Sequence, residues 1–366
     1  MKIAIIGTRG IPNNYGGYEE LAEYLSVGLV ERGHDVTVYN NHLHTYKEKS
    51  YRGVNIQRIY SPENLIGNSA NIIYDYLSLI HAIKNKSDIV LECGYQSSAM
   101  GIPFAPSKRT KIITNMDGLD WKRSKWSPTV QKMTLWFEKL GVKFSDSLIS
   151  DNLGIKEYLF EKYGAKSHYI PYGANIPDSY DEGLLVPFDL IKDSYHMLVA
   201  RLEPENNIEN VLDGYQASSE KKPFVVVGNH LTTYGEHLKS KYVNDTRIRF
   251  VGGVYEKEKI NCLRHYCSIY FHGHAVGGTN PSLLEAMACG SFVASFDINF
   301  NRNVLGSNAL YFKSSEDVKG LLENYSDNPI EEFIKKNLDK IATEYTWDRV
   351  VDLHESLFLS VLNSNN

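Results

Sequence analysis

Short apolar runs alternate with longer stretches whose apolar positions recur every three or four residues, along nearly the whole chain. In the first half the runs fall at 3–6, 36–39, 54–59, 89–92, 111–114, 148–150 and 168–170. Helical periodicity occupies 18–32, 72–84 and 129–142, and Arg32-Gly33 supplies the stop signal of the first helix. Strands that lack a polar face and are separated by helices predict a parallel sheet covered on both sides. The second half repeats the alternation, with runs at 196–200, 224–227, 247–251, 269–272, 292–295 and 310–312 and helices at 208–218, 257–266 and 281–289.

Between the halves, residues 170–189 (IPYGANIPDSYDEGLLVPFD) are rich in Pro, Gly and Asp and lack periodicity, as an interdomain connection does. The period returns in a helix over 347–362. The pattern therefore predicts an α/β protein of two Rossmann-like, doubly wound parallel-sheet domains facing a cleft. Residues 1–172 form the first domain, with 347–366 packing back on it; 173–189 link it to the second, 190–346. In such sheets ligands bind outside the carboxyl ends of the strands.

Composition agrees with large folded cores: 366 residues, 42% hydrophobic and 23% charged, exclude a disordered or fibrous chain. The net charge of −5 gives no global attraction to nucleic acid. Cys93, Cys262, Cys267 and Cys289 form no CxxC pair, so reduced thiols of a cytoplasmic protein are expected. No run reaches the roughly 18 apolar residues that span a bilayer. The N-terminus enters a strand without the order of a signal peptide.

Four segments carry candidate chemistry. The first strand opens into GTRGIPNNYGGYEELAEYL (7–25), where Gly16 and Gly17 precede a helix whose free N–H groups suit an anionic ligand. The spacing is neither G-x-G-x-x-G nor a P-loop, and a glycine-rich turn with no ligand is the alternative. In FHGHAVGGTNPSLLEAMACG (271–290), Gly277, Gly278 and Thr279 lead to Asn280 as N-cap and Pro281 at the first helical position. The exposed amides there, with Ser282, suit a diphosphate, and Glu285 is placed on the helix flank to accept hydrogen bonds from sugar hydroxyls. In LVARLEPENNI (198–208), Arg201 follows a buried strand and can fork onto phosphate oxygens, or form a surface ion pair with Glu203 or Glu205.

The fourth segment is ITNMDGLDWKRSKWSPTVQKMTLWFEKLGVK (113–143). From Trp121 to Lys143 it holds six basic residues (Lys122, Arg123, Lys125, Lys132, Lys139 and Lys143) and one acid, Glu138, among aromatic side chains. This suits an anionic bilayer or a phosphate-bearing lipid. It also suits stacked single-stranded bases, or a plain solvated face with Trp136 in the core. Asp117 and Asp120 follow a strand, where a sheet presents reactive groups. No D-x-D carboxylate motif or G-x-S-x-G elbow is present, and the His272-Gly-His274 pair has no third ligand at a metal-binding spacing.

IPYGAN (170–175), ARLEPENNI (200–208), VGGVYEKEKI (251–260) and GGTNPSLLEAMACG (277–290) resemble the C-terminal domain of family-four retaining glycosyltransferases with the GT-B fold. GTRGIPNNYGGYEE and NMDGLDWKRSKW narrow the resemblance to the bacterial rhamnosyltransferases that build capsule and cell-wall polysaccharide. It implies metal-independent transfer of L-rhamnose from dTDP-β-L-rhamnose to a lipid-diphosphate-linked sugar, by a peripheral enzyme on the cytoplasmic face of the inner membrane. Nucleic acid is no partner in this reading. Arg201 and Glu285 would serve the donor, with Val254 and Tyr255 beside the base. Asp117 would orient the acceptor hydroxyl or take its proton, with Glu19 as second candidate. Lys122, Arg123 and Lys125 would meet the acceptor diphosphate or lipid headgroups. Two departures bear on this: Gly277 stands where the wider family has a Glu, and Asn206 where it has a phosphate-binding Lys. They leave open a UDP-hexose or UDP-N-acetylhexosamine enzyme of the same fold, and a non-catalytic sugar-nucleotide-binding partner of an assembly complex.

Overall fold

A run that is apolar on both faces cannot leave either face to water, and each of those runs forms a strand of a helix-covered sheet. The computed structural model describes residues 1–14, 16–104, 107, 109–116, 118–123 and 126–364. Its contacts separate two units. The first comprises Met1–Lys122, Trp126–Gly173 and Trp347–Asn366, the second Arg123–Lys125 and Ala174–Thr346.

The first unit is built on β1 (Lys2–Ile6), β2 (Asp35–Asn41), β3 (Ser50–Tyr51), β4 (Val54–Ile59), β5 (Ile89–Cys93), β6 (Lys111–Asn115), β7 (Ser147–Ser150) and β8 (His168–Tyr169). They are ordered β3-β4-β2-β1-β5-β6-β7-β8. All described pairs are parallel except the short edge pair β3–β4, which the periodicity did not reveal. Its helices are α1 (Gly17–Glu31), α2 (Glu63–Ile66), α3 (Ala70–Lys84), α4 (Pro128–Phe144) and α5 (Leu153–Tyr163). Gly33, at φ 83, takes the positive angle needed to leave α1. Ser127 caps α4 through Val130 N, with Pro128 at the first position.

The second unit carries β9 (His196–Val199), β10 (Phe224–Val227), β11 (Ile248–Gly252), β12 (Ile269–His272), β13 (Val293–Phe296) and β14 (Leu310–Phe312), ordered β11-β10-β9-β12-β13-β14 and all parallel. Around it lie α6 (Ile208–Ala217), α7 (Thr233–Lys241), α8 (Lys257–His265), α9 (Pro281–Ala288), α10 (Asn299–Leu305), α11 (Ser315–Asn324) and α12 (Ile330–Glu344). One sheet face packs Leu198, Val226 and Phe271 with Val211 and Leu212; the other packs Met197, Val225 and Tyr270 with Leu263 and Ala286. Within the segment expected to be a connection, residues Glu182–Phe188 form a 3-10 helix started by Asp181, and Leu185 joins the second core. All four cysteines are free thiols and buried.

The last helix, α13 (Trp347–Asn363), packs on α1 of the first unit. Trp347 stacks on Tyr24 at 4.4 Å, and Glu355 accepts bonds from Arg32 and His34. Gly28 allows the approach: a Cβ there would stand 2.7 Å from Val351.

Two carboxyl groups are sealed behind β5. Glu92 is wholly buried, with Oε2 bonded to the Thr114 hydroxyl and Oε1 unpartnered, and Asp75 is bonded to the Ser97 hydroxyl. Burial pushes Glu92 up to about 8, with Asp75 adding to it, and burial alone pushes Asp75 up to about 7. Because the folded state holds these protons more tightly than the unfolded chain, stability is fully present below the ordinary carboxylate range. It falls as pH rises toward 8. Glu92→Gln should flatten that decline, making the variant more stable than the parent at pH 8 by on the order of a few kcal/mol in urea titrations. Equal losses between pH 5 and 8 in the two proteins would contradict this account.

Candidate active site

In the first sheet the strand order reverses beside β1, so the loops after β1 and β5 meet at its carboxyl edge. Buried Asn40 brackets the glycine-rich loop, accepting from Ile11 N at 3.1 Å and donating to Ile11 O at 2.7 Å. A Cβ on Gly10 would stand 2.3 Å from that amide. The Glu19 carboxylate accepts from Arg9 N at 2.8 Å, and Glu23 accepts from Asn13 N at 2.5 Å. Gly16, at φ 125, lies under Glu19, whose Oε2 would be 2.1 Å from a Cβ there. The amides satisfied by the chain's own carboxylates in this loop are those of Arg9 and Asn13, ahead of Gly16 and Gly17. Burial raises the Glu19 pKa, opposed by the Arg9 amide.

After β6, Asp117 and Lys125 lie outside the described residues. Asp120 is buried, and Lys122 is exposed with its ammonium 5.4 Å from the Trp121 ring centre. The acid that sequence reasoning passed over is Glu138, 1% exposed. Its carboxylate accepts bonds from Tyr158 and Tyr163 at 2.6 Å, Trp121 at 3.1 Å, Lys162 at 3.2 Å and Tyr95 at 3.3 Å. Tyr95 also bonds Gly118 O, so this carboxylate anchors the segment that follows β6. Trp136 is not a core residue: it is 49% exposed.

In the second sheet the order reverses between β9 and β12, which places Arg201 and His272–His274 side by side at the carboxyl edge. Arg201 is exposed and pairs with neither Glu203 nor Glu205; Glu205 lies 3.6 Å from Arg123 instead. Three asparagines lock these loops together. Asn206 donates to Arg201 O at 2.7 Å, Asn207 to Gly273 O at 2.8 Å, and Asn301 to His274 O at 3.1 Å. A Cβ on Gly273 would come within 2.1 Å of Asn206 O, so only glycine fits the crossing. Asn206 is thus a loop clamp.

The capping expected from sequence is present at the start of α9, and it engages the Ser282 amide that the sequence reading left exposed. Asn280 accepts from Ser282 N at 3.0 Å and from its hydroxyl at 2.9 Å, and Pro281 is the first helical residue. Gly278 and Thr279 are buried before it, and Gly277, at φ 130, faces open space. Glu285 is not simply solvated: Arg264, 3% exposed, donates to its Oε2 at 2.5 Å. Beyond β11, Val254 packs against the core and Tyr255 is exposed, its ring folded over Gly253. His230, after β10, stands beside Gly252 with Nδ1 enclosed and unpartnered. Among the described residues no group of three His, Cys, Asp or Glu could hold a metal ion, and no helix is long and apolar enough to cross a membrane.

Residues 191–340 match the family model described as glycosyl transferases group 1, and residues 1–175 match a domain of unknown function, DUF1972. No curated protein matches the chain. Among solved structures, sucrose-phosphate synthase from Thermosynechococcus elongatus superimposes with a TM-score of 0.81 at 16% identity, covering 99% of each chain. HepE from Anabaena, in complex with UDP-glucose, gives 0.73 at 13% identity over 98% of this chain and 99% of its own. An α,α-trehalose 6-phosphate synthase from Burkholderia multivorans gives 0.73 at 12% identity over 100% and 99%. The fold is that of GT-B glycosyltransferases. With the group 1 domain in the second unit, this supports sugar-nucleotide glycosyl transfer as the class of activity.

The Arg264–Glu285 pair has a consequence for any test of Glu285. Removing the carboxylate strands a buried guanidinium, which costs about 3 kcal/mol for a fully buried pair and less here because Glu285 is one-third exposed. Glu285→Ala should therefore lower the melting temperature by roughly 4–8 °C. Glu285→Ala with Arg264→Met should recover part of that loss in calorimetric scans. An unchanged melting temperature in the single variant would show that the pair carries no stability.

Proposed function

We propose that this GT-B glycosyltransferase moves L-rhamnose from dTDP-β-L-rhamnose, with retention, to a hydroxyl of a lipid-diphosphate-linked sugar. The observation that carries the donor side is Arg201, without a carboxylate partner among the described residues, at the strand-order reversal of the second sheet, in the unit that also presents the capped start of α9. Gly277 offers no carboxylate, which suits a 6-deoxy sugar with one hydroxyl fewer. The sugar itself rests on the sequence blocks at 7–20 and 115–126.

In the proposed reaction the bond from C1 to the diphosphate oxygen breaks, releasing dTDP, and C1 bonds the acceptor oxygen on the same face. The acceptor proton passes to the departing diphosphate, so no protein nucleophile is needed. Arg201 and the positive end of α9 stabilise the charge that grows on the leaving group, without a metal ion. Tyr255 and Val254 lie against the base, and Glu285, steadied by Arg264, meets the ribose. Asp117 orients the acceptor hydroxyl, while Lys122, Arg123 and Lys125 meet the acceptor diphosphate. A UDP-hexose donor is the second reading, favoured by the likeness to HepE, whose structure holds UDP-glucose.

The peripheral membrane role rests on how charge is sorted on two helices of the first unit. The only acid of α4, Glu138, is buried, while Lys132, Lys139 and Lys143 are exposed beside Trp136, Met133 and Phe144. On α3, Asp75 is buried, while Lys84, Ile73, Tyr76 and Leu77 are exposed. A face of lysines and large apolar groups without a carboxylate suits an anionic bilayer.

Calorimetric titration with dTDP, UDP and GDP at equal concentration should favour dTDP. A preference for UDP would replace the sugar while keeping the chemistry, and binding of none would move the chain to the non-catalytic reading. In sedimentation with phosphatidylglycerol vesicles, Lys132→Glu/Lys139→Glu/Lys143→Glu should weaken association on the order of a hundredfold, at about 1 kcal/mol per lysine. Undiminished sedimentation would remove α4 from the membrane surface.

A further inference from the structure

The His272-Gly-His274 pair, read from sequence as a poor metal site, is left with unsatisfied ring nitrogens at the second unit's carboxyl edge. His272 is 1% exposed, and neither of its ring nitrogens has a partner among the described residues. Its ring stacks on His274 at 4.5 Å between centres, inclined by 15°. His274 is half-buried, with Nδ1 enclosed and unpartnered. The backbone around it is fixed on three sides: Gly273 O by Asn207, His274 O by Asn301, and Ala275 N by Glu205 O. A loop held this firmly keeps His274 where it is, so its missing partner is not supplied by local rearrangement.

A neutral imidazole carries one N–H and one lone pair. An enclosed nitrogen without a partner tolerates a lone pair better than an N–H, because orphaned buried donors are the rarer and costlier defect. The proton of His274 therefore belongs on Nε2, the nitrogen that is not enclosed. Arg201 and Arg123 both act on His274 electrostatically. With burial they hold the ring neutral, down to about 3, while burial, His274 and Arg264 push His272 well below its ordinary range. The two arginines Arg123 and Arg264 are themselves paired with Glu205 and Glu285.

We propose that the Nε2–H of His274, backed by the stacked His272 ring, donates a hydrogen bond to a diphosphate oxygen of the nucleotide-linked donor beside Arg201. This rests on the donor site described above and adds a residue that the two departures at 206 and 277 leave room for. The bond is neutral-donor to anion, so it persists across the physiological pH range and asks for no proton transfer.

The full chain is titrated by calorimetry with dTDP and UDP, and with thymidine and uridine as controls lacking phosphate. His274→Ala should weaken the tighter-binding nucleoside diphosphate about tenfold or more and leave nucleoside binding unchanged, with the same ratio at pH 6 and pH 8. Arg201→Ala should also weaken the diphosphate. If Arg201→Ala weakens it and His274→Ala does not, the inference about His274 fails while the donor site stands; if neither does, the donor site itself is misplaced. Nitrogen-15 spectra of the parent protein's imidazoles guard against a poorly folded variant. They should show His274 protonated on Nε2 and shifting on addition of the nucleoside diphosphate, and a His274 signal unmoved at saturation would overturn the proposal.

Discussion

Parallel pairing is the constraint from which both units follow. A parallel strand can be re-entered only after a crossover, so every strand of a parallel sheet delivers its carboxyl end to the same edge. In the second unit that edge collects Arg201 after β9, His230 after β10, Tyr255 after β11, His274 after β12 and the start of α9. Apart from His274 and the start of α9, which share one loop, these come from well-separated parts of the sequence. The reversal of strand order then opens a gap at that edge between the loops of β9 and β12. The polar residues needed for binding are thus gathered by a packing requirement of apolar residues elsewhere.

Loops at such an edge leave backbone groups without ladder partners, and here side-chain amides supply them. Asn40 in the first unit and Asn206, Asn207 and Asn301 in the second each bond a loop carbonyl. Asparagine suits the task because its short side chain offers donors and an acceptor close to the backbone. Since these bonds are neutral, they fix the loops without consuming charge. That is why Arg201 can stand at the edge unneutralised: its own loop is held by Asn206, and Glu205 is directed to Arg123. A cation already in place when an anion arrives stabilises it without reorganisation.

Much of the fold was legible because its determinants are local. The runs at 224–227 and 310–312 form strands with those limits, and the Asn280-Pro281 start of α9 follows from capping chemistry alone. The two-residue edge strand β3 and the 3-10 helix Glu182–Phe188 were not legible, since each is too short to show a period. At the candidate site the roles of single charged residues were hidden. Glu138 sits between Trp136-Phe137 and Lys139 in sequence and reads as one turn of a solvated helix. Its five donors come from residues 17 to 43 positions away and exist only once the sheet has formed. Arg264 reaches Glu285 across 21 positions in the same way. The one available signal was that Glu138 is a lone acid in a basic, aromatic stretch. Such a residue is more economically explained as a buried acceptor than as a surface charge.

The two edges also differ in sign. In the first unit, loop amides after β1 are held by Glu19 and Glu23, and α1 begins with Glu19 and Glu20. Carboxylates at that end of a helix use up the positive end of its dipole. A diphosphate brought there would meet negative charge, whereas a hydroxyl would meet a hydrogen-bond acceptor. In the second unit α9 has no acid in its first turn, its cap is a neutral asparagine, and the neighbouring guanidinium has no carboxylate partner among the described residues. There a diphosphate gains from both the helix and the arginine. On charge grounds the positive end of α9 suits an anion better than the glycine-rich loop does.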